Sequence, residues 1–158
     1  MSTLAELAAL YRRDLTRLFQ EIDAFPDARK LWDTVPGVSN SAGNLALHLE
    51  GNLREYIGRQ LCNLTYTRDR PGEFARTDIS HAELTHRIAD LGQQIPALIE
   101  TLSEPALELP YPENVLGQSL NVRQFLIHLY GHLNYHLGQI DYLRRVLTLK
   151  AALPLVGL

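Results

Sequence analysis

The sequence predicts an all-α protein built as a four-helix bundle, and three observations carry that prediction. Four long segments repeat apolar residues at the alternating three- and four-residue spacing of a helix. Two of these segments open on residues that favour helix N-termini. No stretch shows the sustained alternation of a long strand. Helices with narrow apolar seams bury those seams against one another, which gives a bundle.

The first helix is predicted over residues 3–25, where an apolar seam runs from Leu4 to Phe25, and Pro26 ends it. Residues 26–40 are predicted to be a loop, in which Trp32 covers the end of the bundle or lines a pocket mouth. The second helix is predicted over residues 41–63. Beside its apolar arc runs a polar stripe, whose residue types favour a solvated face: Asn44, His48, Asn52, Glu55 and Arg59.

Residues 64–79 are predicted to be a polar loop, and Ser80 with Glu83 forms a capping box that starts the third helix. Pro96 is expected to kink this helix or split it in two. Residues 103–120 are expected to form a connection with a short hairpin. The fourth helix is predicted over residues 121–148, and the apolar tail 151–158 is expected to pack along the bundle or against a second copy. The middle connections are long, so a plain up-down-up-down order does not follow.

The length, charge and cysteine content of the chain limit its domain number, its partners and its location. A chain of 158 residues suits a single domain, taken as residues 1–158. The net charge of −3 and the scattered basic residues disfavour nucleic acid and anionic membranes as partners. Cys62 is the only cysteine, so no internal disulfide or cysteine-rich metal site is possible, and we expect a cytoplasmic location. Its residue type favours a small buried hydrophobe over a nucleophile. The charged pattern after Met1 is not that of a signal peptide, and no apolar run is long enough to span a membrane.

The fourth helix carries the candidate chemistry. His132 and His136 lie one turn apart, the spacing at which two imidazoles can bind one metal ion. His128 lies a turn earlier, but three histidines at this spacing on one helix span about 12 Å and cannot share an ion. At about 100° per residue, His132 and His136 fall on the border and inside of the apolar stripe, while His128 falls further round. A third ligand must come from elsewhere, and His48 on the second helix is the best candidate.

The same residues have plainer interpretations. Spacing alone leaves two interfacial histidines without an ion about as plausible as a metal site. His81 and His86 are predicted to be surface residues. Three imidazoles do not distinguish zinc, nickel, copper and iron; zinc or nickel is expected first, with iron or manganese as alternatives. The residues expected to orient the ligands are Gln139 and Asn134 near the pair, and Asn44, Asn52 and Glu55 near His48.

At these residues the chain resembles the DinB-like superfamily, a group of four-helix bundles of the DinB/YfiT-like type. The resemblance rests on two segments, Gly37–Gly58 and Leu126–Arg145, which resemble the family's two signature helices. The resemblance implies a metal held by His48, His132 and His136, with Gly138–Gln139 as the dipeptide that follows the pair. Many relatives have His-His-Arg before that dipeptide, where this chain has Tyr135–His136–Leu137, so a contact made by that arginine is not carried over.

The resemblance also implies a function. Characterised relatives include transferases and isomerases that use low-molecular-weight thiols, with a divalent metal that activates the sulfur, and dimers are common among them. We therefore expect a metal-dependent enzyme of the thiol S-transferase or hydrolase type, acting on a small molecule at a three-histidine site open to substrate. Its catalytic residues are unknown, and Glu55 is a guess for a general base. The alternative is a non-catalytic, stress-linked dimeric bundle that binds an unknown ligand.

Overall fold

The structure is a computed structural model that describes residues 2–115 and 117–154. Within these ranges it is helical and contains no strand, so the predicted all-α four-helix bundle is confirmed. None of its helices combines the length and the apolar character needed to cross a bilayer. The four long elements are α1 Thr3–Asp23, α3 Ala42–Leu53, α6 His81–Thr101 and α7 Val122–Thr148; the short ones are α2 Ala28–Trp32, α4 Gln60–Cys62, α5 Arg70–Ala75 and a 3₁₀ helix Glu104–Glu108.

The helix ends follow the capping rules that the sequence suggests. Ser80 accepts a hydrogen bond from the Glu83 amide at 3.2 Å. Asn121 and Gln124 form a complete capping box, with each side chain accepting from the other residue's backbone N–H. A π-helical segment, Arg54–Arg59, joins α3 to α4, so that one continuous rod runs from residue 42 to residue 62. This rod matches the predicted second helix, although its π-helical turn was not predicted.

The predicted seams form the core. All seven apolar residues of the α1 seam, from Leu4 to Phe25, are buried. On α6, four seam residues are buried and Leu98 and Leu102 are partly buried against them. The tryptophan Trp32 packs as a cover on the start of α3, so close that a Cβ at Gly43 would lie 2.4 Å from its ring. The burial of these seams is the main force that holds the bundle together.

Cross-helix contacts fix the direction of α7 relative to its neighbours. Tyr11, near the middle of α1, donates to the carbonyl of Leu126 near the start of α7 at 2.7 Å, and Arg144 donates to Glu21 near the ends of both helices. Helices α1 and α7 are therefore parallel. Helices α3 and α7 are antiparallel, because His48 faces His132 and the later Tyr56 faces the earlier Phe125.

Helix α6 completes the bundle. It is antiparallel to α1, since Arg12 pairs with Glu100 at 3.0 Å and His81 contacts the Ile22 carbonyl. It is parallel to α3, since Arg87 pairs with Glu50, and the sulfur of Cys62 contacts the Leu98 carbonyl further along. The order is thus up, down, down, up. Because α3 and α6 are parallel, residues 63–80 must travel back along the bundle to connect them.

Several local predictions were wrong. The regions predicted as loops at 26–40 and 64–79 contain α2 and α5, each started by an aspartate that caps it: Asp27 and Asp69. Of the two outcomes expected at Pro96, a split is wrong because α6 runs unbroken through it, and a kink stays a prediction. The predicted hairpin is reduced to isolated bridges, Pro110 with Asn121 and Val115 with Gln118. The tail begins with the Ala151 carbonyl held by Arg144 at 3.2 Å, and residues 155–158 lie outside the described part of the chain.

Candidate metal centre

Three histidines from two helices meet inside the bundle. His48 lies in the middle of α3, and His132 and His136 lie one turn apart in the middle of α7. The antiparallel packing of these helices brings the Nε2 atom of His132 within 3.2 Å of Nε2 of His48 and 3.1 Å of Nε2 of His136. One nitrogen from each ring lies within 4.8 Å of the others. The structure thus brings together the three residues expected to be ligands.

The rings are arranged so that their nitrogens converge. The planes of His48 and His136 are at 90° to each other, and those of His132 and His136 at 87°. Two zinc–nitrogen bonds of about 2.0 Å at a tetrahedral angle place their nitrogens about 3.3 Å apart. The two short separations around His132 match that value.

A short helix outside the four-helix core supports His48 from behind. The Nδ1 atom of His48 lies 2.9 Å from a carboxylate oxygen of Glu73, which belongs to α5. Arg68 donates to both oxygens of the same carboxylate, at 2.6 Å and 2.9 Å. Burial favours the protonated form of Glu73, but its hydrogen bonds from His48 and Arg68 outweigh that effect and lower its pKa. The carboxylate is therefore ionised and only accepts hydrogen bonds.

The two histidines of α7 are supported unequally. The Nδ1 atom of His136 lies 2.7 Å from Oε1 of Gln139, the residue one turn later. The Nδ1 atom of His132 is buried and has no hydrogen-bond partner among the described residues. Burial, together with the neighbouring His136 and His48, lowers the pKa of His132 to about 4. Burial also lowers the pKa of His136, against the opposing effect of Gln139. Both rings are neutral at physiological pH, as metal ligands must be.

The hydrogen bonds leave a site that suits a cation. A neutral imidazole carries one N–H and one lone pair. The Nδ1–H groups of His48 and His136 are used on Glu73 and Gln139, so their Nε2 lone pairs both point toward the Nε2 of His132. A single Nε2–H on His132 satisfies only one of them. A divalent cation accepts all three lone pairs, so the donor set fits a divalent transition metal.

The remaining histidines lie apart from this cluster. His128 is exposed and stacks on Phe125, with the ring planes 14° apart, in agreement with its predicted position outside the pair. His86 is exposed as predicted and faces Asp90. His81 is only half-exposed, because it contacts the Ile22 carbonyl, so its prediction as a surface residue was too simple.

Of the residues expected to orient the ligands, Gln139 contacts a histidine of the cluster. Three of the others have different partners, and Asn52 is buried with no hydrogen-bond partner for its Oδ1 among the described residues. Asn44 donates to backbone carbonyls of Glu73 and Arg76, and thereby anchors α5. Asn134 donates to the carbonyl of Tyr130. Glu55, the guessed general base, pairs with Arg59, and that hydrogen bond lowers its pKa. A carboxylate held in this way is a weak base, so the guess gains no support.

Sequence reasoning missed Glu73 and Arg68, and it misjudged the polar stripe of the second helix. Asn44, His48 and Asn52 are buried, because residues 63–80 return over this face of α3 and cover it. The segment did carry a signal: Asp69 and Pro71 are an N-cap and a first-turn proline, which together mark a helix start. That signal places Glu73 in a helix, but the sequence does not show that this helix lies against His48. Cys62 is half-buried and its pKa is raised by burial, in line with the predicted inert thiol.

Two clefts are each lined by a residue that supports the cluster, and neither is lined by one of its three histidines. An apolar cleft of about 490 Å³ includes Gln139 in its wall, together with Leu45 and Leu143. A polar cleft of about 520 Å³ includes Arg68, Tyr56 and Arg70. Clefts of this size suit small molecules.

Comparisons with known proteins give the fold. No protein-family model matches the chain, and no curated protein matches it. Among solved structures, it is similar to the crystal structure of a DinB-like protein from Bacillus cereus ATCC 10987. The TM-score is 0.69, with 96% of this chain and 95% of that chain covered, at 16% sequence identity. At that identity the likeness concerns the fold. The chain therefore has the fold of a DinB-like protein, which confirms at the level of the fold the resemblance seen in its sequence.

Proposed function

We propose that this protein is a metal-dependent enzyme, a thiol-dependent S-transferase or a hydrolase, with His48, His132 and His136 as the metal ligands. The observation that supports it most is the convergence of three imidazole nitrogens, two of which present lone pairs because their other nitrogens are hydrogen-bonded. Such an arrangement costs stability without a cation, because unsatisfied buried polar atoms are unfavourable. Zinc or nickel is the proposed metal, with iron or manganese as alternatives.

Three protein ligands leave a coordination position for a substrate atom. A divalent metal held there supplies Lewis acidity, which lowers the pKa of a thiol or water and polarises a carbonyl. The chain itself contributes neutral ligands: the Glu73 charge is balanced by Arg68, so the positive charge of the cation is not cancelled nearby. This favours an anionic fourth ligand such as a thiolate. The two clefts would receive the rest of a small substrate.

The proposal includes a cytoplasmic location, where low-molecular-weight thiols are kept reduced. It also includes a homodimer as the working state. Along α7 and its C-cap residue, large apolar side chains that are more than half exposed, with two exposed glycines between them, recur at intervals of four, four and three residues: Ile127, Gly131, Tyr135, Gly138, Tyr142, Val146 and Leu149. We call this set the α7 stripe. Large exposed apolar patches mark interaction surfaces.

Metal content of the untagged protein tests the proposal. We expect wild type to carry close to one equivalent of a transition metal, measured by elemental analysis after purification without added metal. His132→Ala should lose nearly all of it, because two histidines no longer make a stable site. His86→Ala is the matched control, since it removes an exposed histidine, and should retain the metal. Equal and negligible metal in all three proteins would rule the proposal out.

Melting temperature separates the enzyme from the non-catalytic bundle. A bound ion stabilises the folded state by mass action, so a strong chelator should lower the melting temperature of wild type but not that of His132→Ala. The non-catalytic alternative requires that the chelator leaves both unchanged.

A further inference from the structure

The Glu73 side chain is buried against His48, although α5 does not need this side chain as a cap. Helix α5 has six residues, and its cap is supplied by Asp69, so the Glu73 side chain has no part in holding the helix. That side chain nevertheless points into the bundle, where it is 5% exposed and touches His48. An ionised group is rarely buried without a specific partner. Arg68 provides one partner, and the imidazole of His48 provides the other.

The surrounding residues make room for this carboxylate. A Cβ at Gly51, one turn after His48 on α3, would lie 2.1 Å from a Glu73 oxygen. Asn44, one turn before His48, uses its side-chain amide to hold the backbone of α5 at Glu73 and Arg76. Residues on both sides of His48 are thus fitted to α5. Phe74 packs against the His48 ring, with centroids 4.9 Å apart, and restricts it further.

We propose that Glu73, held in place by Arg68, is the positioning residue that fixes His48 as its Nδ1–H tautomer and so presents Nε2 as a metal ligand. A histidine's tautomer is set by the hydrogen bond that its other nitrogen makes. An ionised carboxylate accepts only, so Nδ1 must carry the proton and Nε2 the lone pair. This inference rests on the proposed metal site for its purpose, but the tautomer itself is a property of the metal-free protein.

The first test reads the tautomer directly. Metal-free protein labelled with ¹⁵N at histidine is examined by NMR at neutral pH, where the two ring nitrogens differ in chemical shift according to protonation. We expect wild-type His48 to show a protonated Nδ1 and an unprotonated Nε2. In Glu73→Ala the pattern should move toward the opposite tautomer or a mixture. His48→Gln identifies the resonances.

The second test measures affinity for Zn²⁺ by competition with a chelating dye. Loss of a residue that orients a metal ligand costs about 10–100-fold in affinity. We expect that loss for Glu73→Ala and a smaller one for Glu73→Gln, whose amide oxygen can still accept from His48 but cannot replace both oxygens of a carboxylate that accepts three hydrogen bonds. The matched control is Glu50→Gln, because Glu50 is as buried as Glu73 and is likewise paired with arginine. Its partners are Arg54 and Arg87, on the face that α3 turns to α6. It should bind Zn²⁺ like wild type.

Removal of Glu73 leaves Arg68 without its partner, and this can reduce folding. The double variant Arg68→Met with Glu73→Met removes both charges and the accepting oxygens while nearly keeping the volume, so we expect it to fold and use it for the same two measurements. An unchanged His48 tautomer in Glu73→Ala and in this double variant would overturn the inference even if wild type binds zinc. A tautomer that depends on Glu73 in a protein that binds no metal would support the inference and instead refute the proposed function.

Discussion

His132 differs from the two histidines beside it, because among the described residues no side chain bonds to its buried Nδ1. Burial and the neighbouring His136 and His48 lower its pKa to about 4. In an unfolded chain the same group titrates near 6.5. Between these two values the unfolded chain binds a proton that the folded chain does not. The free energy of unfolding therefore falls as the pH is lowered from about 6.5 to about 4.

We expect this loss to be visible in metal-free protein. Urea unfolding of wild type should show stability that falls more steeply across that pH window than in His132→Gln, which has no titrating ring. The difference in slope is at most about 1.4 kcal/mol per pH unit for one proton. Above pH 7 the two curves should run parallel. Parallel curves throughout the window would show that His132 is not protected from protonation.

At this scale the sequence predicted part of the site. The pair His132 and His136 follows from helical spacing, and His48 follows from its position beside an apolar arc. Both signals are local. Glu73 and Arg68 approach His48 from 25 and 20 residues away, and only the path of the connecting segment brings them there. No periodicity in residues 64–79 reports that path.

The glycines of α3 and α6 show how elements accommodate one another. Gly51 of α3 accommodates the Glu73 side chain of α5. Gly92 of α6 has no such neighbour, since a Cβ there would meet Leu15 at an ordinary 3.7 Å. The two positions can therefore be compared directly, because the contact with Glu73 requires a glycine at position 51 and no contact requires one at position 92.

We expect Gly51→Ala to push the Glu73 carboxylate away from His48. Overpacking of this kind costs about 1–3 kcal/mol, and zinc affinity should fall with it. Gly92→Ala should leave zinc affinity unchanged and stabilise the protein by up to about 1 kcal/mol through helix propensity. Urea unfolding and zinc titration measure both effects. Stability that rises in Gly51→Ala as much as in Gly92→Ala would show that Glu73 moves aside at no cost.

The long helices were predictable because each one carries its own seam and cap. The short helices α2 and α5 were missed because six or fewer residues are too few to show a helical period. The π-helical segment Arg54–Arg59 has no established signal in residue type. The up-down-down-up order also lay beyond reach, since direction depends on contacts between distant residues.

At the scale of the molecule, the α7 stripe predicts self-association. Tyr135 and Tyr142 are 65% and 66% exposed, two turns apart on the same helix. Paired with a second copy, the stripe would bury apolar surface that water otherwise covers. We expect a dimer by size-exclusion chromatography with light scattering, and a monomer when both tyrosines are replaced by glutamate. Exposed Glu6→Lys on α1 is a control for surface charge. A wild-type monomer at every concentration would contradict this prediction.

The packing of α1 against α7, the first and last long helices, determines when folding of this protein can be completed. Two side chains of α1 form hydrogen bonds with residues more than a hundred positions later: Tyr11 near its middle and Glu21 near its end. While the chain is being synthesised, the part of the apolar face of α1 that packs on α7 therefore has no partner until synthesis is nearly finished. The same last helix brings two of the three histidines, so ion capture has to follow translation, and chaperones have a long interval in which to act on the nascent chain.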